Sequence, residues 1–496
     1  MNDHAPPAAS APEPTRSDAL VLFGFTGDLA RRKIFPALYA MARRGDLPPC
    51  VVGVAASALG EDEVRRRVRD SLEQGTAAVD AAALERLLAA LRYVSGDYRQ
   101  PATFAALKDA LGGARHPAHY LAVPPALFET VIRGLGAAGL ARGARLVVEK
   151  PFGRDLASAR TLEAVARAVF DDRDIFRIDH YLGKEAIMNL LYFRFANSVL
   201  EPLWCREQID SVQVTMAEDF GVGTRGAFYE SAGALRDVVE NHLFQIVALL
   251  AMEPPASRAG ADLQRAKSAV LEAVRPLVAA DLVRGQYAGY RGEKDVAPDS
   301  DVETYAALRL YVDTPRWQGV PFFLRAGKCL PAGVLEVQVQ FKPPRQALFD
   351  DAGGRPNYLR LRLQPGSAIA LGARVKNVGK QLVGTQIELS VCEDLSGEDA
   401  PYDRLLNDAM SGDAALFTSS AAVQAAWAVV DGVLADHAAA LPYAAGSWGP
   451  AAADALVAGH GGWQAPEPAG DCPPAAAAHA VRAAGGAPEG DASVRR

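Results

Sequence analysis

Six side chains that carry charge or donate a hydrogen bond fall within nine positions in RIDHYLGKE, residues 177–185: Arg177, Asp179, His180, Tyr181, Lys184 and Glu185. Burying such a set costs free energy unless each member is satisfied. Two environments suit it. A solvated loop would carry it cheaply; an anion and hydroxyl site would use His180, Tyr181 and Lys184 as donors while Asp179 fixes an imidazole. A second candidate lies in LRDVVENHLFQIVALLAMEPP, residues 235–255, a predicted helix whose apolar stripe runs through Leu235, Val239, Ile246 and Leu249 or Leu250. His242 falls on or beside that stripe, where a satisfied core histidine is the plain alternative. Asp237, Glu240 and Asn241 precede it within little more than a turn, and a partly buried histidine held by a carboxylate suits general-base work near neutral pH. In EKPFGRDL, residues 149–156, Lys150 ends the apolar run RLVV, where a parallel strand delivers its carboxyl end to a ligand crevice. Pro151 restricts Lys150 to an extended backbone; the alternative is an ordinary lysine at a strand end. Glu218, after SVQVTM, either binds hydroxyl groups or begins a turn.

These residues need a scaffold, and the chain shows two textures. From Ala19 to about Asp172 the short β-rich runs ALVLFG, CVVGVA, LRYVSGDY, AHYLAVP and ARLVVEK alternate with helical stretches, predicting a parallel sheet with helices on both faces. The first strand runs into GFTGDLARRKIFPALY, so Gly24 and Gly27 lie at a strand-to-helix turn whose exposed amides and helix dipole suit a pyrophosphate. The second strand ends in Ala55, Ala56 and Ser57, with neither the acid that selects an unphosphorylated ribose nor the base that selects a 2′-phosphate. From about Arg177 to Pro276 helical patterns dominate. From Val302 to Asp394 the runs TYAALRLYV, VPFFLRAG, LEVQVQF, YLRLRLQ and TQIELSV predict a large, mainly antiparallel sheet. A last helix, AAVQAAWAVVDGVLADHAAAL, is expected to pack back through Trp427, Val430 and Leu434.

At 496 residues, 50% hydrophobic and 22% charged, the chain holds material for two packed domains. A net charge of −7 without a dominant basic block argues against nucleic acid or an anionic membrane as the main partner. The five cysteines form no CxxC pair or disulfide-like pattern, no metal motif is visible, and the first residues lack the basic and apolar regions of a signal peptide. A cytoplasmic protein is expected, with residues 1–17 and 467–496 disordered, a first domain over 18–176 and a second over 177–466.

GFTGDLARRKIFPALY, YVSGDY, YLAVPP, EKPFGRDL, RIDHYLGKE, RFAN, RDVVENHL, VRGQY, GVPFFLRAGK, QPG, PYDRLLNDAMSGD and SWGP, in this order from about residue 19 to residue 464, closely resemble the glucose-6-phosphate dehydrogenase family. The resemblance implies a fold of class α/β plus α+β: an N-terminal Rossmann-like dinucleotide-binding domain, then a domain with a large, mainly antiparallel sheet flanked by helices. It implies oxidation of glucose 6-phosphate to 6-phosphogluconolactone with NADP or NAD, the first oxidative step of the pentose phosphate pathway, in a homodimer or homotetramer built on the large sheet. His242 would be the general base, oriented by Asp179. His180, Tyr181 and Lys184 would hold the 6-phosphate; Lys150, Glu218, Asp237, Lys328 and Gln364 would contact the sugar. Gly24, Thr26, Gly27, Asp28, Leu29, Ser57 and Lys150 would bind the cofactor, and no metal is called for. Two positions depart from the family: Ala56 stands where many members have an arginine for the 2′-phosphate, and CLPAGVLE follows Lys328 where some place basic residues. Two rival readings are a sugar dehydrogenase that ignores the phosphate, and a silent homologue that binds nucleotide and regulates a partner.

Overall fold

The computed structural model describes residues 15–75, 79–346, 348–349, 356–393, 400–435 and 439–466. The disorder expected at the two ends falls mainly on residues 1–14 and 467–496, which lie outside that set; Ser17 is buried, its amide donating to the Met410 carbonyl.

The described chain forms two compact units. The first contains a six-stranded sheet: β1 Ala19–Phe23, β2 Cys50–Ala55, β3 Leu91–Ser95, β4 Pro117–Leu121, β5 Arg145–Val148 and β6 Ile175–Arg177. Its order is β3-β2-β1-β4-β5-β6 and every pairing is parallel. The physical reason shows in β1, buried along its whole length. Leu20 and Leu22 enter one apolar cluster with Phe35, Leu38 and Leu405, while Ala19, Val21 and Phe23 enter another with Phe104, Phe128 and Val131. Successive side chains point to opposite faces, so a strand covered on both sides must be apolar throughout. The order reverses between β1 and β4, the crevice where ligands bind in open parallel sheets.

The boundary between units is not a single cut after residue 176. The first unit takes the chain up to Lys184, Glu240–Pro276 and Asp399–Leu434. The helix Gly260–Glu272 packs on the helices Phe244–Ala251 and Ser420–Leu434, and the latter packs on Leu156–Arg167. Polar anchors fix this return: Trp427 Nε1 donates to the Phe152 carbonyl at 3.0 Å, and the buried Lys267 ammonium donates to the Phe417 carbonyl at 3.1 Å. RIDHYLGKE is accordingly no solvated loop. Arg177 is buried in β6 and paired with Glu163 at 2.7 Å, and Ile178, Asp179 and Leu182 are buried after it.

The second unit, Glu185–Val239, Leu277–Glu398 and the chain after Ala435, holds the other sheet. Its strands are β7 Ile209–Ala217, β8 Leu282–Tyr287, β9 Tyr305–Tyr311, β10 Pro321–Gly327, β11 Val334–Phe341, β12 Tyr358–Gln364, β13 Ser367–Lys376, β14 Gly384–Glu393 and β15 Leu441–Tyr443. The order is β14-β13-β12-β11-β7-β10-β9-β8-β15. β7 and β10, and β8 and β15, pair parallel; the other neighbours are antiparallel, so the sheet is mixed and mainly antiparallel. Arg325 on β10 is buried against the rings of Trp448 and Trp463, at 4.6 and 4.7 Å, which clasps the last described segment to the sheet. Cys50, Cys205 and Cys329 are free.

Candidate functional site

Two adjacent strands of the first sheet and one helix build the site. β5 and β6 are parallel neighbours, so the residues after their carboxyl ends emerge side by side: Lys150 from one, Asp179 from the other. The Ile178 amide still donates to the Val148 carbonyl at 2.9 Å, which holds the register up to the residue before Asp179. His242 comes from the π-helical stretch Leu235–Leu243, which continues as the α-helix Phe244–Ala251. A π turn carries an extra residue per turn and recurs at functional sites because it re-aims side chains.

The three side chains form a chain of hydrogen bonds. His242 Nδ1 lies 2.6 Å from Asp179 Oδ1, and the Lys150 ammonium lies 2.9 Å from His242 Nε2. A lysine ammonium only donates, so Nε2 accepts and the ring proton sits on Nδ1, donated to Asp179. Asp179 Oδ1 also accepts from the Tyr181 amide at 3.0 Å. Burial pushes the Asp179 carboxyl up, but His242, His180 and Lys150 beside it outweigh that and hold it well below the usual carboxylate range. An ionised aspartate is thereby fixed at one ring nitrogen of an imidazole whose other nitrogen is a hydrogen-bond acceptor. That is the arrangement of a histidine general base.

The expected phosphate donors cluster around the same imidazole. The His180 ring lies 5.0 Å from the His242 ring and 4.8 Å from that of Tyr181; Tyr181 lies 4.1 Å from His242. The Lys184 ammonium sits 3.5 Å over the Tyr181 ring. Burial, then the neighbouring His242, Lys150 and Lys184 against the opposing Asp179 charge, pushes the His180 imidazole well below its ordinary value, so it is neutral at neutral pH. Asp179, His180 and His242 offer ligand atoms within 4.8 Å of one another. Both His242 ring nitrogens are already engaged, Nδ1 with Asp179 and Nε2 with Lys150, so a divalent cation taking His242 would have to break one of those bonds.

In the cofactor turn, Gly24 has φ +85°, and a Cβ there would lie 2.1 Å from the Ala122 carbonyl oxygen of the neighbouring strand end. Only glycine fits. Its amide donates to the Val54 carbonyl, and the Gly27 amide donates back to Gly24 at 2.9 Å. Thr26 and Gly27 complete the turn, and the helix opens at Asp28 and Leu29 before the π turn Ala30–Ile34. Ala56 and Ser57 are exposed at the end of β2, with the Ser57 carbonyl accepting from Tyr93 Oη at 2.7 Å. The Gly24 and Gly27 amides are thus engaged within the fold and not exposed as the sequence suggests.

The remaining predicted residues belong to the second unit. Glu218 follows β7 and pairs with the buried Lys328 at 2.5 Å; the Glu218 amide donates to the Gly327 carbonyl. Asp237 is buried on the π-helical stretch, and Gln364 is exposed at the end of β12. Sequence reasoning passed over Glu149 and Tyr402. The Tyr402 ring stacks on His180 at 6.0 Å, and Glu149 accepts hydrogen bonds from both Tyr120, at 2.5 Å, and Tyr402. Burial pushes the Glu149 carboxyl up to about 7 despite those bonds. An acid adjacent to Lys150 at the end of a fully buried strand was the available signal.

Two family models match: "Glucose-6-phosphate dehydrogenase, NAD binding domain" over residues 21–189 and "Glucose-6-phosphate dehydrogenase, C-terminal domain" over residues 191–464. The chain is 42% identical over 454 residues to glucose-6-phosphate 1-dehydrogenase 1 of Mycobacterium tuberculosis, covering 91% of this chain and 97% of that protein. It is similar to the crystal structure of glucose-6-phosphate 1-dehydrogenase from Mycobacterium avium, with a TM-score of 0.86 and 42% identity over 91% of this chain and 99% of the other. A solved glucose-6-phosphate dehydrogenase in complex with its substrate matches with a TM-score of 0.83 and 33% identity, over 91% of this chain and 100% of that one.

Proposed function

The chain belongs to the glucose-6-phosphate dehydrogenase family, oxidoreductases acting on a CH–OH group with NADP or NAD, and from that premise we propose that His242, paired with Asp179, is the base of the reaction. The substrate is D-glucose 6-phosphate and the product 6-phosphogluconolactone, the first oxidative step of the pentose phosphate pathway. A single observation carries the reading: one imidazole holds an ionised aspartate at Nδ1, 2.6 Å away, and offers Nε2 as an acceptor. The C1 hydroxyl takes the place of the Lys150 ammonium at Nε2 and gives up its proton there; the O–H electron pair forms C1=O as the C1 hydrogen leaves as hydride with the C1–H electron pair. The nicotinamide ring of the bound cofactor supplies the hydride acceptor. Asp179 stabilises the imidazolium as it forms. Lys150, displaced from Nε2, stays beside the sugar and helps to place the nicotinamide.

His180, Tyr181 and Lys184 hold the 6-phosphate. The neutral His180 gains its proton as the dianion arrives, so substrate binding takes up a proton. Binding energy from this remote group holds C1 against the cofactor. Glu218, Asp237, Lys328 and Gln364 serve the sugar hydroxyls. Gly24, Thr26, Gly27, Asp28, Leu29 and Ser57 cradle the dinucleotide. Among the described residues no helix is long and apolar enough to cross a membrane, which accords with a cytoplasmic enzyme.

The cofactor is either dinucleotide, because an exposed alanine, Ala56, stands where many family members carry an arginine for the 2′-phosphate. Initial rates with glucose 6-phosphate and saturating NADP⁺ or NAD⁺, using His242→Ala as the blank, test this. Specificity constants within about tenfold of each other are expected, a difference of about 1.4 kcal/mol in transition-state binding. A hundredfold preference for NADP⁺ would overturn the dual-cofactor reading. Equal turnover of unphosphorylated glucose would overturn the phosphate role of His180 and Lys184, and undiminished turnover by His242→Ala would overturn the base.

A further inference from the structure

Beside Asp179 lies a small cavity lined by Lys150, Phe152, Asp179, Glu240, Gln245 and Thr418 among others, with room for a water molecule. Two acceptors in its wall are buried without a hydrogen-bond partner: Asp179 Oδ2 and Gln245 Oε1. The other Asp179 oxygen is fully engaged with His242 and the Tyr181 amide. Glu240, also in the wall, is 6% exposed and lies two residues before His242 on the same π-helical stretch. Orphaned buried acceptors cost about 1–3 kcal/mol each, so something must donate to them. A water satisfies both with its two hydrogens and then needs a donor for its own lone pair. The Lys150 ammonium, the Asn241 amide and the Thr418 hydroxyl also line the cavity, but Glu240 is the group there that shares a buried site with the Asp179 charge; two acids so placed do not both ionise, so the Glu240 carboxyl keeps a proton to donate.

We infer that Glu240 is a positioning residue for the catalytic base: a carboxylic acid kept protonated, donating through a buried water to Asp179 Oδ2 and Gln245 Oε1. The inference rests on the proposed His242–Asp179 base. The groups facing Glu240 are Asp179 from the end of β6 and Lys150 from the end of β5; Lys267, from the helix Gly260–Glu272, acts on Asp179. Burial pushes the Glu240 carboxyl up to about 8, with the Asp179 charge adding to the rise and Lys150 opposing it. At neutral pH the proton is therefore in place. Its hydrogen bond draws charge from Asp179, which limits how strongly that carboxylate stabilises imidazolium and so keeps His242 available as a base.

Two readouts test the inference on the full-length enzyme. The infrared difference spectrum of wild type minus Glu240→Gln should show one protonated carboxylic acid carbonyl band at pH 7 that disappears with a midpoint near 8. A carboxylate band at pH 7 would overturn the inference while leaving the base reading intact. The second readout is the pH profile of kcat/KM. Glu240→Leu, which cannot donate, should lower kcat about tenfold and move the acid limb up by roughly half a unit, because Asp179 then acts on His242 with its full charge. Glu240→Gln, whose amide donates in place of the acid, should restore kcat to within about twofold and abolish any alkaline change centred near 8. An acid limb unmoved in Glu240→Leu would overturn the inference. Should that variant fail to fold, the isosteric glutamine variant still decides through its alkaline limb and its missing infrared band. Full activity of His242→Ala would sink the base reading instead, and that result is independent of the infrared band.

Discussion

At the scale of single residues, the site depends on an ionised carboxylate where burial alone would favour a neutral one. Asp179→Asn removes that charge while keeping the shape. Without it the imidazolium loses its counter-charge, so the histidine gives up its proton more readily and the acid limb of kcat/KM should move to lower pH. kcat should fall by roughly 100- to 1,000-fold, with little change in KM for the cofactor. A steady-state pH series measures both; an unchanged acid limb would remove Asp179 from the mechanism. Lys150, Asp179, His180, Tyr181 and Lys184 stood out in the sequence as chemically loaded residues beside apolar runs, whereas His242, on an apolar stripe, read equally as a core histidine and took its role from the family resemblance. Glu240 was visible only as part of a polar cluster. Its significance depends on which oxygens across the cavity lack partners, and residue order carries no information about that. Tyr402, more than 200 positions from the His180 it stacks on, was out of reach for the same reason.

At the scale of elements, the parallel strands announced themselves as short apolar runs at βα spacing, because both faces of that sheet are covered. Two features did not. The π turns at Ala30–Ile34 and Leu235–Leu243 differ from α-helix by one residue per turn, too little to alter an apolar stripe. The helices returned to the first unit from beyond residue 239 depend on long-range packing that local periodicity cannot encode. The strand-to-helix turn gives a sharp element-scale prediction. Gly24→Ala must combine a positive φ with a Cβ 2.1 Å from the Ala122 oxygen. A loss of about 1–3 kcal/mol in stability and at least a tenfold weaker cofactor affinity are expected. Gly45→Ala is the control: its φ is +84° but a Cβ meets nothing within 4 Å, so it should show the backbone cost alone with affinity unchanged. Thermal denaturation and fluorescence titration with reduced cofactor separate the two. Equal effects from both variants would mean that the turn at Gly24 does not shape the dinucleotide site.

At the scale of the whole molecule, the second sheet carries an apolar stripe that is poorly explained by a chain working alone. Leu371 and Leu389 are cross-strand partners on β13 and β14 and are 42% and 59% exposed; Val391, paired with Ile369, is 73% exposed. Cross-strand partners share a face, so these side chains form one patch. Solvated faces of antiparallel sheets alternate towards polar residues, and a contiguous apolar face on a soluble protein marks an interface. The family resemblance implies a homodimer or homotetramer built on this sheet, and a two-fold assembly, in which the same surface meets itself, would cover the patch. A stable interface buries about 800 Å² per partner, and charges at its centre are costly because they lose water without gaining counter-charges. Leu389→Glu combined with Val391→Glu should therefore convert the assembly to single chains in light scattering at micromolar concentration, with the circular dichroism unchanged. An unaltered mass would place the interface elsewhere. The His242–Asp179 pair and the cavity beside it lie wholly within the first unit, so a double variant that runs as single chains should keep the proposed proton transfer at His242, and its kcat separates a structural role for assembly from a catalytic one.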